Sequence, residues 1–224
     1  MPHVSIAIDG PAGAGKSTIA KIISKSLGII YLDTGAMYRT VALKAIKLGV
    51  DTLDRDSLAR MVENIDIRIT YTGNEQHIFL DGEDVSGKIR TPEVSIGASN
   101  VATIPEVRIK MVELQREIAA KDSVVMDGRD IGTYVLPYAN LKIFLTASID
   151  ERAKRRYNEQ LEKGAAGMTL EDVRKDIEYR DRNDSSRAFA PLARAEDAIE
   201  LDTTSLTIEE VAKKIMSYAE GKKW

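Results

Sequence analysis

VSIAIDGPAGAGKST, residues 4 to 18, is the stretch from which the rest of the chain is read. Val4 to Ile8 is an apolar run of the length of a buried strand, and it breaks at Asp9-Gly10 into a glycine-rich loop. Gly10, Gly15, Lys16 and Ser17 stand at the fixed positions of GxxxxGK[ST], the phosphate-binding loop that joins a strand to a helix. The chemistry accounts for the spacing. A polyphosphate needs several backbone N–H donors pointing inward, and only small residues let the main chain wrap that closely. Gly10, Ala12, Gly13, Ala14 and Gly15 supply them, and a helix from Lys16 to about Leu27, stopped by Gly28, adds the positive end of its dipole. Lys16 is placed to reach the β and γ phosphates, and Ser17 to offer a hydroxyl to Mg²⁺. The structural alternative is a Gly/Ala turn that binds nothing, which the surrounding strand, lysine, hydroxyl and helix disfavour.

The frame around this loop is ordinary. The 224 residues are 43% hydrophobic and 30% charged, long enough for one sizeable core with excursions. A formal net charge of -3 argues against bulk nucleic-acid binding. No signal peptide or membrane span is expected, because Asp9 interrupts the first apolar run and no later run is long enough. With zero cysteines, disulfides and thiolate metal sites are excluded, and a cytoplasmic protein is the default.

Further along, Ile29 to Leu32 predicts a strand ending in Asp33-Thr34-Gly35, at the sheet edge where ligands bind in open parallel sheets. A helix over 37–49 carries Tyr38 and Arg39 in its first turn, a poor place for a cation unless Arg39 ion-pairs or awaits an anion; the anion is the preferred reading. Asp54 caps a short helix through about Asn64. The period then changes. Ile65, Ile67, Ile69 and Tyr71 alternate with polar residues, Thr72-Gly73-Asn74 and Asp81-Gly82 turn the chain, and 64–97 reads as a small antiparallel β insertion. Pro92 and Pro105 open two helices, the second carrying Arg108 near its start. Ser123 to Met126 is a strand ending in Asp127-Gly128-Arg129-Asp130, and Leu141 to Leu145 is the next. Ser148 with Glu151 opens an arginine-rich helix, Gly164 to Gly167 is a break, and Thr169 caps a second helix that frays over Asn183 to Arg187. Ile199 to Leu201 is the last strand, Thr207 with Glu210 opens the closing helix, and Lys222 to Trp224 reads as a loose end. The alternation predicts an α/β fold with a doubly wound parallel sheet, one β excursion and a helical hairpin over 151–187.

Arg39, Arg108, Arg129, Arg152, Arg155, Arg156, Arg180 and Arg187 form a second constellation. Acids nearly balance bases between Glu151 and Arg187, so a solvated helix pair is the plain reading of that stretch. The phosphate loop tilts the reading toward phosphoryl transfer, which is catalysed mostly by charge placed around the moving group. Asp33, Asp127 and Asp130 are turn or capping residues taken singly, but all lie at expected strand tips. Either Asp33 or Asp127 could orient a Mg²⁺-bound water. His3 and His77 suggest no metal site.

GPAGAGKST, DTGAMYR at 33–39, GEDVSGKIRTPEV at 82–94, DGRDIGT at 127–133 and RNDSSRAFAPL at 182–192 together resemble the bacterial cytidylate kinases, and the resemblance covers nearly the whole chain. It implies transfer of the γ-phosphoryl of ATP to CMP or dCMP with Mg²⁺, by a core over 1–63, 98–150 and 188–224, a CMP-binding insertion over 64–97 and a lid over 151–187. The ATP-binding segment it implies is Asp9, Gly10, Pro11, Ala12, Gly13, Ala14, Gly15, Lys16, Ser17 and Thr18. Ser99, Arg108 and Asp130 would read cytosine. Arg39, Arg129 and Arg187 would hold the CMP phosphate, with Thr34 and Tyr38 nearby, and Arg180 and Asp184 would contact the sugar. Lys16, Arg129, Arg187 and the lid residues Arg152 and Arg156 would carry catalysis. Some relatives have glycine then threonine after the loop lysine, whereas here Ser17 and Thr18 both offer hydroxyls. The expected partners are small nucleotides alone, neither nucleic acid nor membrane, and nothing requires more than a monomer. Other small P-loop kinases, a nucleotide-dependent switch and an RNA-binding module remain as alternatives.

Overall fold

The computed structural model of the chain describes residues 3–73, 75–162, 164 and 167–221. Asn74, part of the first expected turn of the β insertion, and the Lys222 to Trp224 end lie outside the described residues, as do Ala165 and Ala166 of the expected break. A five-stranded sheet, all parallel, is built from β1 (Ser5–Asp9), β2 (Ile30–Asp33), β6 (Val124–Gly128), β7 (Leu141–Thr146) and β8 (Ile199–Asp202) in the order β2-β6-β1-β7-β8. The three strands of the excursion, β3 (Ile67–Thr72), β4 (Glu75–Leu80) and β5 (Glu83–Asp84), make a separate antiparallel sheet.

The central strands are apolar on both sides because both faces are covered, as parallel sheets require. Ala7, Leu32, Val124 and Met126 point to one core, which also takes in α2 (Thr34–Lys47), α3 (Arg55–Glu63), α4 (Pro92–Val101), α5 (Pro105–Lys121) and the inner side of the small sheet. Ile6, Ile8, Val125, Ile143 and Leu145 point the other way, onto α1 (Lys16–Leu27) and α8 (Ile208–Glu220). Within each of β1 and β6 the residues alternate between the two cores, which is the period of a strand. A third small core, Ala12, Ala153, Val173 and Ile177, seats the hairpin of α6 (Ile149–Glu162) and α7 (Leu170–Ser186) on the phosphate loop.

Three local readings change. Helix α2 begins at Thr34, not Met37, because the Asp33 carboxylate caps it by accepting from Ala36 N at 2.8 Å; Arg39 therefore lies in the second turn, not the first. Residues 131–135 form a short π-helix that no hydrophobic period announced. Helix α7 continues through Ser186 where fraying was expected, since Asp184 is held by arginines on either side. Register then aligns the strand tips: Asp33 lies beside Asp127, and Asp9 beside Gly128.

Candidate active site

A cavity of about 640 Å³ opens over these tips, lined at one end by the phosphate loop and at the other by α2, α4, the start of α5 and α7. Gly10 holds φ at +146°, and a Cβ there would lie 2.0 Å from the Leu145 carbonyl oxygen, so no other residue fits. Ala12 to Thr18 line the cavity, with Ser17 and Thr18 exposed at the first turn of α1. Lys16 is buried, and its Nζ donates to Pro11 O at 2.6 Å. Burial first, then the neighbouring Arg129, push the Lys16 ammonium well below its ordinary range, while Asp127 and Asp184 oppose them.

The Asp9 carboxylate is turned away from the loop. It accepts from Ile131 N at 2.8 Å and Gly132 N at 2.7 Å, and so caps the π-helix that follows Asp130. Burial pushes it up to about 7 against the pull of those amides.

Asp127 accepts from Tyr31 Oη at 2.7 Å. Burial and then the adjacent Asp33 raise it to about 6. Asp33 is more heavily engaged, with Arg39 Nη2 at 2.8 Å and Arg90 at 3.7 Å besides its cap. Burial alone would raise Asp33, but Arg39 and Arg90 outweigh it and hold the carboxyl below its ordinary range. Arg39 thus ion-pairs, and among the described residues its Nε has no hydrogen-bond partner. Among the described residues no group of three or more His, Cys, Asp or Glu side chains is arranged to hold a metal ion.

At the other end, Arg108 and Asp130 form an ion pair with side chains 1% and 6% exposed. The Arg108 guanidinium lies 5.6 Å from the Tyr38 ring centre, and Ser99, also buried, lines the same cavity. Arg129 Nε donates to Asp184 at 2.5 Å, and Arg187 pairs with the other Asp184 oxygen. Arg180 also lines the cavity but, among the described residues, has neither an ion pair nor a hydrogen bond; burial and Arg129 lower it to about 10. Thr34 Oγ1 donates to Asp127 O at 2.6 Å.

The lid arginines divide. Arg156 lines the cavity and pairs with Glu159 at 3.4 Å, and among the described residues its Nε has no hydrogen-bond partner. Arg152 does not face the cavity. Its Nη1 donates to Ala12 O at 2.9 Å and to Asp181 at 2.5 Å, its Nε to Ala147 O at 3.0 Å, and it packs against Gly13. Arg152 and Asp181 therefore fasten the lid to the phosphate loop. Arg90, Gln115 and the wall made by Thr203, Leu206 and Thr207 line the cavity although sequence reasoning passed over them. Arg90 lies inside the IRTPEV segment already noted, whereas the wall follows from β8 pairing with β7, which no local pattern shows.

The family model described as cytidylate kinase matches residues 6–221. A cytidylate kinase of Caldicellulosiruptor bescii is 53% identical over 216 residues, 96% of this chain and 95% of that one. A cytidylate kinase of Bacillus cereus is 52% identical over 219 residues, 98% and 97% of the two chains. Among solved structures, an uncharacterised protein from Eubacterium ventriosum shares the fold at TM-score 0.52 and 12% identity, over 98% of this chain and all of that one. A likeness that runs from β1 to the end of α8 at half identity embraces the phosphate loop, the insertion and the hairpin alike, and the chain belongs to the cytidylate kinase family.

Proposed function

We propose that the protein transfers the γ-phosphoryl of ATP to CMP or dCMP, giving ADP and CDP or dCDP, by in-line displacement. One observation carries the substrate assignment: the buried Arg108–Asp130 pair and Ser99 share a single cavity with the phosphate loop. Cytosine presents an N4 amine beside acceptors at N3 and O2, so a carboxylate flanked by donors complements it. Uracil would set O4 against Asp130.

The acceptor phosphate is assigned to Arg39, Arg129 and Arg187, with Thr34 and Tyr38 alongside, and the sugar to Arg180 and Asp184. Residues 9–18 are assigned to ATP, with Asp9 acting through the backbone of 131–132 and Pro11 through its carbonyl on Lys16. Lys16, Arg129, Arg187 and Arg156 would surround the transferring group, and Arg152 would act by holding α6 and α7 against Ala12. No strong general base is needed, since the acceptor is already an anionic phosphate. The catalytic task is alignment, charge neutralisation and exclusion of water, the last given to the hairpin over 151–187, with 64–97 as the acceptor-binding insertion.

Mg²⁺ would be held by the Ser17 hydroxyl and, through water, by Asp127, and would neutralise charge on the β and γ phosphates. The donor set fits, because this ion keeps several waters and phosphate oxygens and asks few protein ligands. Asp127 is preferred to Asp33, whose two oxygens already serve the α2 cap and two arginines. A monomer in the cytoplasm is the simplest setting: one chain lines the whole cavity, and both nucleotides are metabolites of that compartment.

The experiment is ADP formation from MgATP with CMP, dCMP, UMP, AMP, GMP and shikimate in turn, with the phosphorylated product identified. Rapid turnover confined to CMP and dCMP is expected. Preference for another acceptor would discard Ser99, Arg108 and Asp130 as readers of cytosine.

A further inference from the structure

Helix α7 touches both halves of the cavity. Toward the donor side, Asp181 accepts from the phosphate-loop amide Ala12 N at 3.0 Å. Toward the acceptor side, Asn183 Nδ2 donates to Ser99 Oγ at 3.2 Å, and Tyr179 Oη donates to Asn100 Oδ1 at 2.7 Å. Asn100 Nδ2 in turn donates to Thr52 Oγ1 at 2.9 Å, so the receiving end of α4 is itself held.

The polarity of the Asn183–Ser99 bond has a chemical consequence. A serine hydroxyl has one proton and two lone pairs. With a lone pair taken by Asn183 and, among the described residues, no protein acceptor taking the proton, the Ser99 O–H is left to donate into the cavity it lines. That donor lines the same cavity as Asp130, an acceptor, and so completes a donor and acceptor set for a cytosine edge. We propose that Asn183 is a positioning residue for the acceptor: by donating to Ser99 it fixes the Ser99 hydroxyl as a donor, so that docking of α7 on α4 completes the base-reading site. The proposal rests on the CMP reading above and deepens it.

The test compares Asn183→Asp, Asn183→Ala, Ser99→Ala and the double variant Asn183→Asp/Ser99→Ala with the unaltered protein, measuring KM for CMP, KM for ATP and kcat. In Asn183→Asp a carboxylate draws the Ser99 proton away from the cavity. KM for CMP is expected to rise about tenfold, the worth of one hydrogen bond, while KM for ATP is unchanged. Asn183→Ala, which leaves the hydroxyl free to rotate, is expected to lose less, and supplies the answer if the aspartate variant fails to fold. The double variant is expected to match Ser99→Ala alone. Losses that multiply in the double variant, an unchanged KM for CMP, or equal rises in both KM values would overturn the proposal. Failure of the unaltered protein to phosphorylate CMP at all would instead overturn the functional reading on which it rests.

Discussion

Asp130→Asn removes a charge and almost nothing else from the acceptor end of the cavity. The Arg108–Asp130 pair is buried, and among the described residues Arg108 Nε has no hydrogen-bond partner, so the guanidinium depends heavily on that carboxylate. A hydrogen bond to a charged group contributes about 1.5–3 kcal/mol and a neutral one about 0.5–1.5, and the difference sets the expected loss near 1 kcal/mol. Complete removal of the partner would cost about 3–5 kcal/mol, an upper limit that the isosteric amide avoids. For a chain of this size about 1 kcal/mol is about 2–4 °C in Tm. The same change alters recognition, because an amide can turn its Nδ2 toward uracil O4. The ratio of kcat/KM for CMP to that for UMP should fall by about ten- to a hundredfold, in line with 1–3 kcal/mol for a well-placed base contact. Scanning calorimetry and paired steady-state assays check both halves. A variant with unaltered Tm and unaltered CMP/UMP ratio would refute the argument that this pair is both a buried ion pair and the reader of the base.

Lys16→Ala should lower kcat by about a hundred- to a thousandfold, the scale for removing one preorganised donor from a transition state; a variant keeping most of its rate would dissociate the loop from catalysis. Gly10→Ala forces a Cβ to 2.0 Å from a β7 carbonyl at φ +146°, and strain of more than about 3 kcal/mol should abolish ATP binding or stable folding, read by calorimetry. Asp9 and Asp127 are raised from 3.8 to about 7 and about 6, so the folded chain retains protons that the unfolded chain releases near pH 4. Unliganded stability should therefore fall as pH rises from about 4 to 7 and then level, with Asp9→Asn flattening the upper part; a Tm that climbed across pH 5–7 would contradict the assignment.

Most of the fold was legible because its signals are local. Strand β1, the loop and α1 follow from glycine placement and apolar runs, and the caps Asp54, Thr169 and Thr207 appear where the sequence puts them. The excursion announced itself by a change of period at Ile65. What escaped depends on distant partners. The π-helix is organised by Asp9, 122 residues before it, and α7 stays helical at Asp184 because Arg129 reaches it from β6. Arg152 looked like its neighbours Arg155 and Arg156 in sequence. Which side of α6 meets the phosphate loop is decided by the packing of Ala153, Val173 and Ile177 on Ala12, and that choice removes Arg152 from the cavity. The donor-side wall likewise depends on which strand adds to β7, a matter of topology.

The pairing of the arginines bears on how the cavity takes an anion. A guanidinium buried without a partner costs several kcal/mol, and here Asp33, Asp130 and Asp184 offset that cost for Arg39, Arg108, Arg129 and Arg187. The result is a cationic site held in place before any ligand arrives, with the donors already oriented. Asp184 serves two arginines at once, and Arg180 serves none among the described residues, so positive charge is in local excess beside α7. The depression of Arg180 to about 10, caused by burial and then by Arg129, is the electrostatic mark of that excess. A phosphate dianion held by Arg129 and Arg187, as proposed, would lessen the repulsion between Arg129 and the neighbouring Arg180 without displacing Asp184 from its helix. The acids on α7 and the strand tips thus keep the arginines buried and aimed, and the charge they leave uncompensated is what a bound phosphate would meet.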